Sequence, residues 1–381
     1  MAPIKVISVF GTRPEAIKMA PLVNELKKYP QFITPLVAVT AQHREMLDQV
    51  LAIFDIEPDY DLNIMKSKQT LADITTRAMN GLDEIMKKEN PDLVLVHGDT
   101  TTTFAASLAA FYNQVSVGHV EAGLRSYNKM SPYPEEMNRM LTGVLADLNF
   151  APTMRAYDNL LNEGKSESSI FVTGNTAIDA LKSTVRNDYS HPLLEELNGK
   201  RMVLLTSHRR ENHGQPMRDI FRAVNRIVKE HEDVHVVFPV HLNPMIRELA
   251  DEVLGGNNRV HLTSPLDVID FHNFASRATL ILTDSGGVQE EAPSLGSPVL
   301  VLRENTERPE GVSAGTLKLV GTDEDKIYST ASELLANQDE YEKMSRASNP
   351  YGDGEASKRI VDAILYHFEL TKEKPESFIE S

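Results

Sequence analysis

The chain has 381 residues, no cysteine, and 55 acidic against 39 basic side chains, for a formal net charge of −16. Its length allows two or three domains with large cores. The acidic balance argues against a nucleic-acid binder, which must neutralise many phosphates. The lack of cysteine excludes disulfides, thiolate nucleophiles and Cys-ligated zinc, and fits a reducing, cytoplasmic setting.

Apolar periodicity predicts a strand over 4–10, a helix over 14–28, a strand over 32–40 and a helix over 43–54. This βαβα order implies a parallel sheet covered by helices on both faces. A long amphipathic pattern over 71–88 leads into a strand at 93–96, a helix over 101–111 and a strand at 115–120. Two prolines then precede a helix that runs to Leu145, and the half closes with a strand around Phe150, a helix near Tyr157 and a short strand at 170–172. The alternation resumes with strands at 202–206, 234–239, 260–262, 280–283 and 299–302. The expected fold class is therefore α/β with two Rossmann-like domains. The turn residues Thr173-Gly174-Asn175-Thr176 mark the junction, giving domains over 1–173 and 174–366. The polar tail from Lys372 onward is expected to be loosely held. The N-terminus enters a strand pattern at once, so no signal peptide is expected, and no apolar run reaches membrane length.

In doubly wound sheets ligands sit beyond the carboxyl ends of the strands, so the residues just after each strand carry the functional reading. After the first comes Gly11-Thr12-Arg13-Pro14-Glu15-Ala16-Ile17-Lys18. Pro14 suits a helix start, and Arg13 there can make a forked contact to phosphate or carboxylate. The stretch lacks the glycine spacing of a dinucleotide site, which counts against an NAD enzyme. His97-Gly98-Asp99-Thr100-Thr101 follows the next inner strand; Asp99 could cap the helix, but the threonines can do so and free it for chemistry. Glu121 ends the strand after that. Glu135 and Arg139 then share one helical face, where a surface ion pair is the ordinary expectation. Asp99, Glu121 and Glu135 thus collect at one rim, where converging carboxylates would separate into acid and base.

In the second half, Ser207-His208-Arg209-Arg210-Glu211-Asn212 follows a strand, and a His with two Arg there favours a ligand role. Thr283-Asp284-Ser285-Gly286-Gly287-Val288-Gln289-Glu290-Glu291 reads as strand, glycine turn and helix start. That arrangement suits a phosphate, with Glu291 one turn on suited to sugar hydroxyls. Arg308 is a further anion contact, and His241 is another strand-end histidine. No metal-ligand spacing such as H-E-x-x-H occurs.

The motifs G-T-R-P-E-A-I-K-M-A-P, H-G-D-T-T-T-T, V-E-A-G-L-R, P-E-E-x-N-R, S-H-R-R-E-N and T-D-S-G-G-x-Q-E-E-A-P-S-L-G, in this order between residue 7 and about 310, resemble the non-hydrolysing UDP-N-acetylglucosamine 2-epimerases. The resemblance implies a GT-B architecture with the active site in the interdomain cleft, and a C-terminal helix, near 361–368 and with the tail 367–381 assigned to it, that crosses back onto the first domain. It implies reversible conversion of UDP-N-acetylglucosamine to UDP-N-acetylmannosamine by elimination of UDP to 2-acetamidoglucal and re-addition, with no cofactor and no metal. By motif, Asp99, Glu121 and Glu135 resemble the acid/base carboxylates, with His208 and Arg139 completing the catalytic set. Arg13, Lys18 and His208 would hold the pyrophosphate, Ser285, Gly286 and Gly287 would cradle phosphate, Glu291 would take the ribose, and Phe271 and Arg308 would complete the nucleotide pocket. At Leu266 the chain departs from a glutamine that some relatives place near the uracil. A second UDP-N-acetylglucosamine, acting as allosteric activator, would fall on Gln42, Glu45, Lys68, Arg209, Arg210, Glu211 and His241, and the family implies a homodimer. Rival readings are a GT-B glycosyltransferase using the same donor, a hydrolysing epimerase and a non-catalytic nucleotide-sugar sensor.

Overall fold

The computed structural model describes residues 2–41, 44–66 and 69–379. The chain divides into two compact units, residues 1–180 with 352–380 and residues 181–351. In the first, β1 (Ile4–Phe10), α1 (Arg13–Leu26), β2 (Ile33–Val39), α2 (Arg44–Ile53), β3 (Tyr60–Asp61), α3 (Leu71–Glu89), β4 (Leu93–His97), α4 (Thr101–Tyr112) and β5 (Ser116–Val120) alternate without interruption. Then come α5 (Glu135–Leu145), β6 (Leu148–Ala151), α6 (Met154–Asn162), β7 (Ile170–Val172) and α7 (Thr176–Thr184). The seven strands form one parallel sheet in the order β3-β2-β1-β4-β5-β6-β7.

Alternate side chains of each strand feed opposite faces, as the pleat requires. Ile4, Val6 and Phe10 enter the core under α1 and α2, while Ile7 and Val9 enter the core under α3 and α4. On α4 the buried alanines Ala105, Ala106, Ala109 and Ala110 supply a small-residue face for that core.

The second unit contains α8 (Pro192–Glu196), β8 (Arg201–Thr206), α9 (Gln215–Glu230), β9 (Val234–Pro239), α10 (Pro244–Leu254), β10 (Val260–Thr263), α11 (Val268–Ala275), β11 (Leu280–Thr283) and α12 (Gly286–Glu291). It continues through β12 (Val299–Val301), α13 (Pro309–Ser313), β13 (Leu317–Leu319), α14 (Glu324–Ala336) and α15 (Gln338–Ser345). Its six strands are all parallel, in the order β10-β9-β8-β11-β12-β13. No helix among the described residues is long and apolar enough to cross a membrane.

The structure adds two short edge strands that apolar periodicity left unmarked, β3 and β13, of two and three residues. The unit boundary falls inside α7, seven residues after the expected 173/174 division, because the turn at Thr173–Thr176 begins a helix whose Ala177 and Ala180 are buried. The returning helix is α16 (Ala356–His367), which overlaps the expected 361–368, whereas of the expected 367–381 the described residues 368–379 lie beyond its end. The reason is its cap and its apolar stripe. Asp179 accepts from Ala356 N at 3.2 Å and Ser357 N at 2.7 Å, while Ile360, Val361, Ala363 and Ile364 join Met19, Leu22, Val23 and Leu26 of α1 in one core. The tail is also better held than its polar composition suggests: Phe378 is buried, and its N–H donates to Val172 O on the edge strand β7 at 2.8 Å.

Asp179→Ala leaves two buried N–H groups of α16 unmatched, at a cost of about 1–3 kcal/mol. Hydrogen exchange in 356–367 should then accelerate more than exchange in β1 or β4, which can be read by mass spectrometry.

Candidate active site

Each sheet reverses its winding between one pair of neighbouring strands, β1 and β4 in the first unit and β8 and β11 in the second. That is where a doubly wound sheet leaves its strand-end loops splayed, and where ligands bind. In both units one buried carboxylate ties these loops together.

In the first unit that residue is Glu15, third in α1 and 2% exposed. It forms a capping box with Thr12, accepting from Thr12 N at 2.8 Å and Gly11 N at 3.1 Å. Its other oxygen accepts from Thr100 Oγ1 at 2.7 Å, across on the loop after β4, with Thr103 Oγ1 of α4 3.3 Å away and donating to His97 O at 2.6 Å. Burial pushes the Glu15 pKa up, against the opposing pull of these donors. Gly11 is required here, since a Cβ on it would stand 1.9 Å from Thr40 Oγ1.

Around this pin stand the predicted carboxylates. Thr100, not Asp99, caps α4, with Thr103 N donating to its Oγ1 at 3.1 Å. Asp99 is left to accept from Arg139 Nη2 at 2.6 Å, while Asn138 Nδ2 donates to the Asp99 carbonyl at 2.9 Å. Glu121, at the end of β5, has a left-handed backbone (φ 63°) that non-glycine residues rarely adopt. It is ion-paired with Lys18 and accepts from Asn175 Nδ2 at 3.1 Å. Glu135 opens α5, and its Oε2 is buried with no hydrogen-bond partner among the described residues.

Arg139 corrects one expectation. Its partners are Asp99 and Glu136 (Nη1 to Oε2, 3.1 Å), with no ion pair to Glu135. Glu136 is fully buried because Ser126 N and Tyr127 N donate to it at 3.0 and 2.8 Å. Burial alone would raise the Glu136 pKa; these amides and Arg139 hold it below the ordinary carboxylate value. Arg13 is the first residue of α1, half-buried beside the Thr12 cap.

In the second unit the pin is Asp284, fully buried at the end of β11. It accepts from His208 N (2.9 Å), Arg209 N (3.0 Å), Ser207 Oγ (3.1 Å) and Asn212 Nδ2 (3.0 Å), all on the loop after β8. His208 is thereby placed beside the Ser285-Gly286-Gly287 turn, and burial lowers its pKa. Its ring stacks on His241 with centroids 5.6 Å apart. Gly286 has a reason that spacing alone did not show: a Cβ there would stand 2.6 Å from Arg308 Nη1. Arg308 is laid across the turn by Glu290, whose Oε1 accepts from its Nε at 2.7 Å. Glu291 points to His272 (3.4 Å), which is edge-on to Phe271, and a Cβ on Gly287 would lie 3.9 Å from Glu291 Oε1.

Of the residues assigned to a second nucleotide-sugar, Gln42 and Lys68 lie outside the described residues, as does the side chain of Glu45. Arg209 is bound to Asp284 as above, Arg210 is exposed, and Glu211 accepts from Arg303 Nε at 2.7 Å.

The family described as "UDP-N-acetylglucosamine 2-epimerase" matches residues 24–365. The chain belongs to that family. It is 67% identical over 378 residues to the UDP-N-acetylglucosamine 2-epimerase of Bacillus subtilis, covering 99% of each chain. It is similar to the solved structure of S. aureus MnaA with UDP, at 55% identity and a TM-score of 0.91, covering 99% of this chain and 100% of that one. It is also similar to the Neisseria meningitidis UDP-GlcNAc 2-epimerase bound to UDP-GlcNAc, at 49% identity and a TM-score of 0.87, covering 95% and 100%. The fold of this family member is thus the two-domain α/β architecture of the epimerases.

Sequence reasoning passed over Glu15, Asp284, Asn175 and His97. The first two lie inside motifs that were read for other residues, and a capping-box pattern, Thr followed three residues later by Glu, was available for Glu15. His97 likewise opens a motif that was read for Asp99, while Asn175 was marked only as part of a turn, and both meet Glu121 through the fold.

Two tests follow from the buried groups. Asp284→Ala leaves several buried donors unmatched, each costing about 1–3 kcal/mol. The variant should therefore unfold at distinctly lower urea concentration than the unaltered protein.

Burial lowers the pKa of His97 to about 4 and of His119 to about 3, from 6.5. The unfolded chain binds these protons first, so stability is full above pH 6.5 and is lost as pH falls toward 4 and 3. The slope is at most about 1.4 kcal/mol per pH unit for each imidazole. In His119→Asn the decline of the thermal midpoint between pH 6.5 and 4 should be shallower than in the unaltered protein.

Proposed function

We propose that this chain interconverts UDP-N-acetylglucosamine and UDP-N-acetylmannosamine by elimination and re-addition of UDP. The observation that carries the reading is the set of three carboxylates at the C-terminal rim of the first sheet, each in a different electrostatic setting. Asp99 is paired with Arg139, Glu121 with Lys18, and Glu135 has one oxygen buried without a partner.

C2 of the sugar bears an amide nitrogen and has no adjacent carbonyl, so its proton is too weakly acidic for simple abstraction and return. Loss of that proton together with cleavage of the C1–O bond to UDP avoids a free carbanion and leaves 2-acetamidoglucal with UDP. The β-phosphate oxygen then re-adds at C1 while a proton reaches C2 from the opposite face. Carbon, phosphate and charge balance, and no step transfers a hydride, so the route calls for no NAD. The rim carboxylates offer proton-transfer groups for the two faces, each contributing typically about 10²- to 10⁴-fold. Arg13, Lys18 and His208 would offset charge on the leaving diphosphate, with Ser285, Gly286, Gly287 and Arg308 holding phosphate and Glu291 and Phe271 the nucleoside. Exclusion of water would protect the glucal from hydrolysis.

The same reading takes a second UDP-N-acetylglucosamine as activator at the Arg209, Arg210, Glu211 and His241 stretch. It is supported by the stacking of His241 on His208 and by Arg209 sharing Asp284. A homodimer is supported by exposed apolar side chains on α4 and α5: Phe111, Tyr112, Met140, Leu141 and Val144. The product would supply N-acetylmannosamine units for cell-surface polysaccharide such as a teichoic acid linkage or capsule, made in the cytoplasm.

Proton NMR of UDP-N-acetylglucosamine with enzyme in heavy water tests the reading. Deuterium should enter at C2 of both epimers with no added metal or NAD, and release of free N-acetylmannosamine or turnover without exchange would overturn it. Asp99→Asn and Glu121→Gln should keep UDP binding yet lose a factor on the order of 10² in rate. Arg13→Ala and His208→Ala should weaken UDP binding in calorimetry, since charged hydrogen bonds are worth roughly 1.5–3 kcal/mol.

A further inference from the structure

The Glu121 carboxylate is held by side chains from other segments of the first unit. Its Oε2 accepts from Asn175 Nδ2 at 3.1 Å, pairs with Lys18 Nζ, and lies 3.8 Å from His97 Nε2. Its Oε1 is turned the other way, toward Gly98, where an added Cβ would stand 3.5 Å from it. One oxygen is thus engaged by protein donors while the second faces the loop that carries Asp99. Glu121 also has a left-handed backbone, a conformation that persists only where surrounding contacts over-determine it.

Asn175 is 3% exposed, and its amide orientation is fixed from both ends. Oδ1 accepts from Ala177 N at 2.9 Å, so the side chain serves the first turn of α7, and Nδ2 must then face Glu121. Asn175 stands in the turn that the sequence marked only as a junction, at the start of the helix within which the chain passes from one unit to the next.

We propose that Asn175 is a positioning residue for the epimerisation: its buried side-chain amide fixes the orientation of the Glu121 carboxylate and couples that carboxylate to the start of α7. The inference rests on the reading of Glu121 as a proton-transfer group. A carboxylate free to rotate would lose its alignment with the C2 proton, and a donor to the ionised form keeps a base ionised to lower pH. The other charged or titratable groups near Glu121 are Lys18 from α1, His97 and His119 on β4 and β5, Asp99 after β4, and Arg139 on α5. Burial keeps both histidines neutral over the working range, while Asn175 and Lys18 are charged or polar donors at Oε2.

Asn175→Asp separates the two jobs of the side chain, because Asp retains the cap acceptor for Ala177 N and loses the donor to Glu121. Deuterium entry at C2 should slow by about tenfold or more, a share of the 10²- to 10⁴-fold that a placed proton-transfer group contributes. UDP affinity should stay within about threefold (roughly 0.65 kcal/mol). The acid limb of kcat/KM should move to higher pH, since losing a donor and adding a like charge both raise the Glu121 pKa. Asn175→Ser, which can still cap but is too short to reach Glu121, should slow the exchange in the same way and carries the test if the Asp variant does not fold. A folded Asn175→Asp or Asn175→Ser protein with the unaltered rate and pH profile, alongside an inactive Glu121→Gln, would reduce Asn175 to a helix cap and overturn the inference. An active Glu121→Gln would instead overturn the role of Glu121 itself, and the inference with it.

Discussion

A buried carboxylate at the reversal point of each sheet is the constraint on which the site depends. Glu15 joins the loops after β1 and β4, and Asp284 joins the loops after β8 and β11. A doubly wound sheet leaves these loops diverging, with backbone N–H groups that neither sheet nor helix satisfies. One acceptor carboxylate resolves both problems, since its two oxygens can take four donors from segments far apart in sequence. Donors from the neighbouring loops oppose the cost of burying each group, and the same hydrogen bonds hold the loops in place. Arg13, Asp99, His208 and Ser285 all hang from loops fastened like this.

The rim of the first unit then shows how one fold can give three carboxylates three characters. Asp99 faces a guanidinium, Glu121 an ammonium and an amide, and Glu135 has an oxygen facing no donor. Glu136, one residue along from Glu135, is a structural acid, consumed by two backbone amides and Arg139. Adjacent residues on the same helix therefore serve different ends, and the difference lies wholly in which donors each one meets. In the second unit Glu290 and Glu291 divide similarly, the first steering Arg308 over Gly286 and the second turned to His272.

Much of this was legible in the chain itself. The alternation of apolar strands with amphipathic helices is a local property, and it specified two parallel sheets and the strand ends on which Asp99, Glu121, His208 and Ser285 stand. Short edge strands such as β3 and β13 were not legible, because two or three residues carry no periodicity. The resemblance placed the returning helix near 361–368 but not its start, which is set by Asp179, 177 residues away from Ala356. Helical spacing placed Arg139 on the face of Glu135 but could not show that its charge is taken by Glu136 and by Asp99, 40 residues distant.

The sequence by itself determined the fold class, the family and the residue types gathered at the strand ends, since periodicity and motif order survive without coordinates. Only the tertiary structure decided which polar groups meet. The pairing of Glu15 with Thr100, of Asp284 with the His208 loop, and of Asn175 and Lys18 with Glu121 depends on strand order and register, which bring distant segments within 3 Å or so of each other. Hydrogen bonds form only over that range, so their partners are a property of the packed sheet and not of spacing along the chain.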